Sequence, residues 1–517
     1  MAEGGREVVL TLISHTNAGK TTLARTLLAR DVGEVRDAPH VTEFADQHLL
    51  LQSPEGDRLT IWDTPGFGDS VRLARRLLAG DKPLLDPVGW FLGQVWDRWR
   101  DRPFWSAQQA LRTVREEAQL VLYLVNAAES PQAAAYVAPE MQILGWMRKP
   151  VIVLLNQLGE PRPQAEEAEE ARRWETHLRA QPQGPEIAAV MPLDAFARCW
   201  VQEAVLWQAV CCALPPELQP AMERLSAAWR AESERRFGES MAVLSLGLAR
   251  SARAQATVPQ GAGWRERMRQ AGAALGWNKD GDPEASAQQA LAAQYADEVR
   301  AGTGALIRLH GLAGVARDEV LARVASHSAL AARVPEGTAA LAGGALTGAL
   351  AGLKADIATG GLTLGGGMLA GGVLGALGAA GLARAINLAR GTAESRVSWS
   401  TEALQGQAEA ALLRYLAVAH FGRGRGEWVD GESPPHWPAV VKASLEPARP
   451  GFEAAWAQRL EPSAVPDAAG GDAEAAADAA LAARLRPALE AAARRALAAL
   501  YPDAARALAA GFDKLPP

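Results

Sequence analysis

An unbroken apolar run, Val8-Val9-Leu10-Thr11-Leu12-Ile13, empties directly into Ser14-His15-Thr16-Asn17-Ala18-Gly19-Lys20-Thr21. This order of strand, small-residue loop and helix start constrains the fold more than any other part of the chain. A short run of this kind ending in turn residues reads as a buried strand. The loop follows the pattern G-x-x-x-x-G-K-[ST], with Ser14 in the place of the first glycine. Gly19 is the harder residue to replace, because the backbone must turn tightly and aim its amides at an anion. A helix over Thr22–Ala29, starting near Lys20, then presents Leu23, Leu27 and Leu28 at helical spacing toward a sheet.

Such a loop is built to cradle a polyphosphate. Lys20 is expected to bridge the β- and γ-phosphates and Thr21 to ligate Mg²⁺ through its hydroxyl. The amides of Asn17, Ala18, Gly19, Lys20, Thr21 and Thr22 would meet the anion at the helix N-terminus. A second motif follows on the strand Arg58-Leu59-Thr60-Ile61-Trp62, which delivers Asp63-Thr64-Pro65-Gly66-Phe67. Asp63 is expected to hold the metal through a water, and the Gly66 amide to sense the γ-phosphate.

On these two motifs the first two hundred or so positions resemble the Era-like branch of the translation-factor-class GTPases. More closely, the chain resembles bacterial GTP-binding proteins with a large C-terminal domain of uncharacterised function. The resemblance implies GTP/GDP and Mg²⁺ binding, slow hydrolysis and switch-like behaviour. It implies a switch I threonine on the metal and γ-phosphate. Thr42 is the candidate, since it is the only threonine between Thr26 and Thr60. Lys20, Thr42 and Gly66 are thus the expected catalytic set, and Thr21, Thr42 and Asp63 the metal set. Phe67 stands where other GTPases place a water-orienting glutamine, so low intrinsic turnover is expected.

Base recognition departs from the family pattern. The strand Val151–Leu155 ends in Asn156-Gln157-Leu158-Gly159, where N-K-x-D is usual. Asn156 and Gln157 are carried as nucleotide contacts, while Gly159 cannot supply the aspartate that pairs with guanine. Loss of such a polar contact removes much of the discrimination between bases. Asp194, after the strand Ile187–Met191, could compensate or cap a helix. Three functional readings follow: a slow GTPase, a nucleotide-gated membrane-interaction protein with little turnover, and an NTPase of relaxed base choice.

The expected fold class is α/β: a doubly wound, mostly parallel sheet over residues 1–214, followed by a mostly α-helical C-terminal part. Strands are expected at Val8–Ser14, His48–Gln52, Arg58–Asp63, Leu120–Asn126, Val151–Asn156 and Ile187–Met191, with the nucleotide at their C-terminal ends. Asn156 lies 93 positions after Asp63, and the surplus holds an insert at about 72–110 with Trp90, Phe91, Trp96, Trp99, Phe104 and Trp105. This insert either anchors an extra helix or reports nucleotide state.

Residues 215–334 read as amphipathic helices with interruptions near Val258–Gly263 and Asn278–Pro283. Residues 335–392 hold two uncharged segments, Gly337–Leu353 and Ile357–Ala383, with glycines spaced by four at Gly344, Gly348 and Gly352 and at Gly367, Gly371 and Gly375. On helices these would form a glycine-zipper hairpin. It would insert into the inner membrane, pack within the protein or dock against a membrane protein. Residues 393–517 are expected to be helical from Ser395 to Phe421 and over Ala475–Ala509, the latter interrupted at Pro487 and Pro502.

The net charge of −6 on 517 residues argues against a general nucleic-acid binder. Residues 216–300 carry 11 basic and 11 acidic side chains, which disfavours RNA binding after the first domain. Cys199, Cys211 and Cys212 show no metal spacing and read as reduced core residues of a cytoplasmic protein. No secretory signal is expected ahead of the first strand. Oligomeric state is left open.

Overall fold

The computed structural model describes residues 5–15, 18–28, 46–67, 69–78, 86–96, 100–158, 164–193, 199–258, 283–312, 386–390, 395–421, 434, 436–459 and 470–504. Asn17, Thr42, Trp99, Gly159, Asp194 and the glycine-rich segment 337–383 lie outside these residues. The chain divides into two compact units, one built on residues 1–235 with 419–427 and 500–517, the other on 236–418 and 428–499.

In the first unit, six strands form a sheet in the order β2-β3-β1-β4-β5-β6. They are β1 (Glu7–Ser14), β2 (Asp46–Gln52), β3 (Arg58–Asp63), β4 (Leu120–Asn126), β5 (Val151–Asn156) and β6 (Ile187–Pro192). All neighbours are parallel except β2, which runs antiparallel to β3. β1, β4 and β5 are buried almost throughout. Covered on both faces, they read as continuous apolar runs and not as alternating ones.

The two-residue period of a strand divides each run between two cores. Val121, Tyr123, Val125, Val153 and Leu155 face one, with Phe67, Phe91, Phe104 and Trp174. Leu10, Leu12, Leu122, Leu124, Ile152 and Leu154 face the other, with Leu23, Leu27 and Trp207. The helices over these faces are α1 (Lys20–Leu28), α2 (Ser70–Leu78), α3 (Pro87–Leu92), α4 (Arg102–Glu116), α5 (Val137–Met147), α6 (Gln164–Arg179) and α7 (Trp200–Ala213).

The insert after β3 becomes α2, α3 and α4. Its aromatics serve packing: Trp96 lies 5.4 Å from Phe91 and 4.7 Å from Phe104 between ring centroids, and the Arg76 guanidinium lies over Trp90 and Trp96. Cys199 and Cys211 are buried, but Cys212 is exposed. The expectation of three core cysteines fails there, because consecutive positions of a helix lie about 100° apart and Cys211 takes the inward face.

α8 (Gln219–Arg253) contributes its first part to this unit and the remainder to the second. The second unit adds α9 (Pro283–Leu309), α10 (Thr401–Ala419), α11 (Trp437–Leu445), α12 (Arg449–Ala457) and α13 (Gly470–Leu500). It also holds an antiparallel sheet in the order β7-β9-β8, formed by β7 (Gln255–Val258), β8 (Ile386–Arg390) and β9 (Ser395–Trp399). Two expectations are corrected here. Ser395–Trp399 is a strand and not the start of a helix, because Val397 and Trp399 turn inward in alternation while β7 and β8 satisfy its backbone. Pro487 does not interrupt α13. A proline within a helix costs about 3 kcal/mol, but Leu481, Leu485, Leu489, Ala492, Ala496 and Leu497 bury one continuous stripe around it, which outweighs the missing bond.

Candidate functional site

The C-terminal ends of β1 and β3 bring the two sequence motifs together. β1 stops at Ser14 and α1 begins at Lys20, with Gly19 at φ +90° between them. That left-handed value is open to glycine at no steric cost. The Leu23 amide donates to the Gly19 carbonyl at 2.9 Å, which starts the helix. The second motif is stitched to the first by two bonds. Thr64 Oγ1 donates to the Leu12 carbonyl at 2.6 Å, and the Phe67 amide to the Ser14 carbonyl at 3.3 Å.

Lys20 Nζ donates to Ser14 Oγ at 2.9 Å, so the serine at the first glycine position gives the ammonium a side-chain acceptor. Thr21 Oγ1 donates to Asp63 Oδ2 at 2.6 Å. Both Lys20 and Asp63 are buried, and burial acts on them in opposite directions. It lowers the Lys20 ammonium from its ordinary value, opposed by the negative charges of Asp63 and Glu140. It raises the Asp63 carboxyl, opposed by the Thr21 hydrogen bond and the Lys20 charge. Asp63 Oδ1 is buried with no hydrogen-bond partner among the described residues. An orphaned carboxylate oxygen beside a threonine hydroxyl is an oxygen donor set that suits Mg²⁺. Thr22 is buried beneath the loop and Gly66 is half-buried at its rim.

At the base end, Asn156 is fully buried and its Nδ2 donates to the Ala18 carbonyl at 2.8 Å. Gln157 takes a left-handed φ of +57°. Phe67 is fully buried in the core and presents no polar group to the site.

Sequence reasoning missed a set of residues behind the loop. The Glu140 side chain, on α5, has no exposed surface and binds two partners. His15 Nδ1 lies 2.9 Å from its Oε1, and the Tyr123 hydroxyl donates to its Oε2 at 2.7 Å. The His15 ring stacks on Tyr136 with centroids 4.5 Å apart. Burial and Glu140 together push the Tyr123 hydroxyl well above its ordinary value, which keeps it a donor. The available signal was Glu140 itself, an acidic residue amid the apolar run of α5.

Comparison with known families places this geometry. Residues 9–157 match the family described as 50S ribosome-binding GTPase. They are a P-loop GTPase domain. Residues 336–487 match a domain of unknown function, DUF3482. No curated protein matches the chain. Among solved structures, one similar chain is Era in complex with MgGDPNP and nucleotides 1506–1542 of 16S ribosomal RNA, at 20% identity and TM-score 0.28, covering 41% of this chain and 58% of that one. Another is an Aquifex aeolicus Era variant bound to GDP·AlF4⁻, at 19% identity and TM-score 0.28, covering 41% and 57%. This chain therefore spans less than two thirds of the length of either. In the GTPase domain, both sequence motifs lie within the matched span.

Proposed function

We propose that the GTPase domain binds GTP and GDP with Mg²⁺ and hydrolyses GTP slowly, and that its nucleotide state acts on the helical C-terminal part. The observation that carries this reading is the meeting of buried Lys20 and Asp63 with half-buried Thr21 at the C-terminal end of β1, where Asp63 Oδ1 has no hydrogen-bond partner among the described residues. Lys20 would leave Ser14 for the β- and γ-phosphates, and the backbone amides from Asn17 to Thr22 would surround them. Thr21, Asp63 and Thr42 would hold Mg²⁺. When bound, that ion neutralises charge on the phosphate oxygens. Gly66 would donate its amide to the γ-phosphate, and Asn156 and Gln157 would lie along the base. Phe67, buried where a glutamine would orient water, supports a low turnover.

Calorimetry with GTP and Mg²⁺ tests the reading. Wild type should bind, and Lys20→Ala should lose at least about tenfold in affinity through the missing charge-assisted contact. Unchanged affinity in Lys20→Ala, or no heat from wild type at millimolar GTP, overturns it.

Membrane engagement through residues 337–383 is part of the same proposal and rests on two uncharged, glycine-spaced segments, Gly337–Leu353 and Ile357–Ala383, separated only by Lys354-Ala355-Asp356. No helix among the described residues is long and apolar enough to cross a membrane. Sedimentation with liposomes in the GTP and GDP states should pellet the protein in one of them. Pelleting with purified 50S subunits and not with liposomes would instead favour the role named in the family description.

A further inference from the structure

The second unit holds a half-buried guanidinium that meets no acidic side chain among the described residues. Arg414 lies on α10, and its Nε and Nη1 are shut off from solvent with no hydrogen-bond partner. Three guanidiniums of this unit meet carboxylates: Arg253 reaches Asp478 at 2.9 Å, Arg250 reaches Glu298 at 3.4 Å and Arg486 reaches Glu490 at 2.7 Å, while Arg459 and Arg495 donate to the Trp456 and Ser444 carbonyls. Arg414 has no such contact among the described residues. Burial draws it below its ordinary value, and the opposing influence is the Tyr295 phenol, not a carboxylate.

Tyr295 lies near Arg414, and Trp399 packs in turn against Tyr295. Tyr295, on α9, and Trp399, at the end of β9, are 4% and 0% exposed. Their rings meet edge to face with centroids 5.9 Å apart. The Tyr295 hydroxyl and the Trp399 indole N–H are both buried without a partner among the described residues. Water could satisfy a phenol or an indole. It cannot balance a guanidinium, which does not deprotonate to escape a low-dielectric site as a lysine does. Two nitrogens of the guanidinium are thus dry with no charge beside them, a cost that an anion joining them would offset. Arg414 as a whole is only half-buried, which leaves a route from solvent.

We propose that the second unit binds an oxyanion, a phosphate or phosphate-bearing headgroup, on Arg414, with Tyr295 and Trp399 as neutral donors beside it. The guanidinium supplies paired, charge-assisted donors in the geometry such a group accepts. Arg414 and Trp399 lie inside the span that matches DUF3482, and the site gives that region a ligand class.

Thermal unfolding of the full chain in anion-free buffer, with and without inorganic phosphate, tests the proposal. Arg414→Met keeps much of the volume and removes the charge. Both chains carry the Lys20 loop, so its response to phosphate is common to them and the difference isolates Arg414. Phosphate should raise the Tm of wild type by more than that of Arg414→Met, and without phosphate Arg414→Met should be the more stable chain. Tyr295→Phe should weaken the phosphate response roughly two- to tenfold.

Vesicles of phosphatidylcholine with and without phosphatidic acid separate the sources. Retention that needs phosphatidic acid and Arg414, and that phosphate competes away, identifies a headgroup. A phosphate response without such retention identifies a free anion. The proposal is overturned by an equal phosphate response in wild type and Arg414→Met with no Arg414-dependent retention. It is overturned equally if Arg414→Met is less stable than wild type without phosphate, since a carboxylate of the chain would then be its partner.

Discussion

Asn156 and Gly19 are locked against each other at the turn into α1. The Asn156 Nδ2 that binds the Ala18 carbonyl at 2.8 Å would lie 2.5 Å from a Cβ built on Gly19. The last strand before the base motif thereby props the phosphate loop. Gly19→Ala adds a methyl in that gap at a φ of +90°, at a cost of about 1–2 kcal/mol from backbone strain alone. The expected outcome is at least a tenfold loss of GTP affinity by calorimetry. Wild-type affinity in that variant would show that the turn relaxes freely.

Asp57 accepts from Arg224 Nε at 2.6 Å and Nη2 at 3.1 Å, with further bonds from the Arg6 amide and Ser53. These partners, Arg224 foremost, lower its carboxyl to about 2. A depressed carboxylate contributes stability that is present above its unfolded pKa near 4 and lost as pH falls toward 2. The contribution is at most about 2 kcal/mol, because Arg224 is partly in water. Urea unfolding from pH 5 to pH 2 should fall more steeply in wild type than in Asp57→Asn. Parallel curves would remove Asp57 from the explanation of acid sensitivity.

Glu140 is the acceptor for Tyr123 and the partner of His15. Glu140→Ala would leave a buried hydroxyl unpaired and open a void, so about 3 kcal/mol of stability should go. Glu140→Gln keeps an oxygen for Tyr123 and should cost less. Both are read by urea midpoint alongside GTP affinity. Equal costs for the two variants would refute the account of hydrogen bonding given above.

On the proposed reading, Asn156-Gln157-Leu158-Gly159 replaces N-K-x-D, and Gly159 leaves guanine without the aspartate of that pattern. Competition among GTP, ATP and XTP for one labelled nucleotide should therefore reveal weaker base discrimination than a site built to hydrogen-bond guanine achieves. Gly159→Asp should raise the GTP-to-ATP preference by about tenfold or more. An already strong preference for GTP in wild type would mean that another group reads the base.

The sheet of the first unit was legible almost to the residue. Arg58–Asp63, Leu120–Asn126 and Val151–Asn156 are strands with the expected bounds: the last two because buried parallel strands are apolar almost from end to end, the first because β-branched and aromatic residues lead into the Asp63-Thr64-Pro65-Gly66 turn. Fold class and the meeting of Lys20, Thr21 and Asp63 follow from that order. Glu140 was not legible, since its partners His15 and Tyr123 lie 125 and 17 positions away. Cys212 and Pro487 misled for a shared reason: which face of a helix is covered is set by packing, not by residue type. The short strands of the second unit carry too few residues for a period to declare itself.

The small sheet of that unit also sets an order of events. β7 ends at Val258, and the strand it pairs with begins at Ser395. Synthesis runs from the amino terminus, so β7 must wait, edge open, until β9 has left the ribosome. Closing so long a stretch of chain is also slow in itself. The sheet of the first unit meets no such delay, since its six strands all lie between Glu7 and Pro192 and can pair while the rest of the polypeptide is still being made.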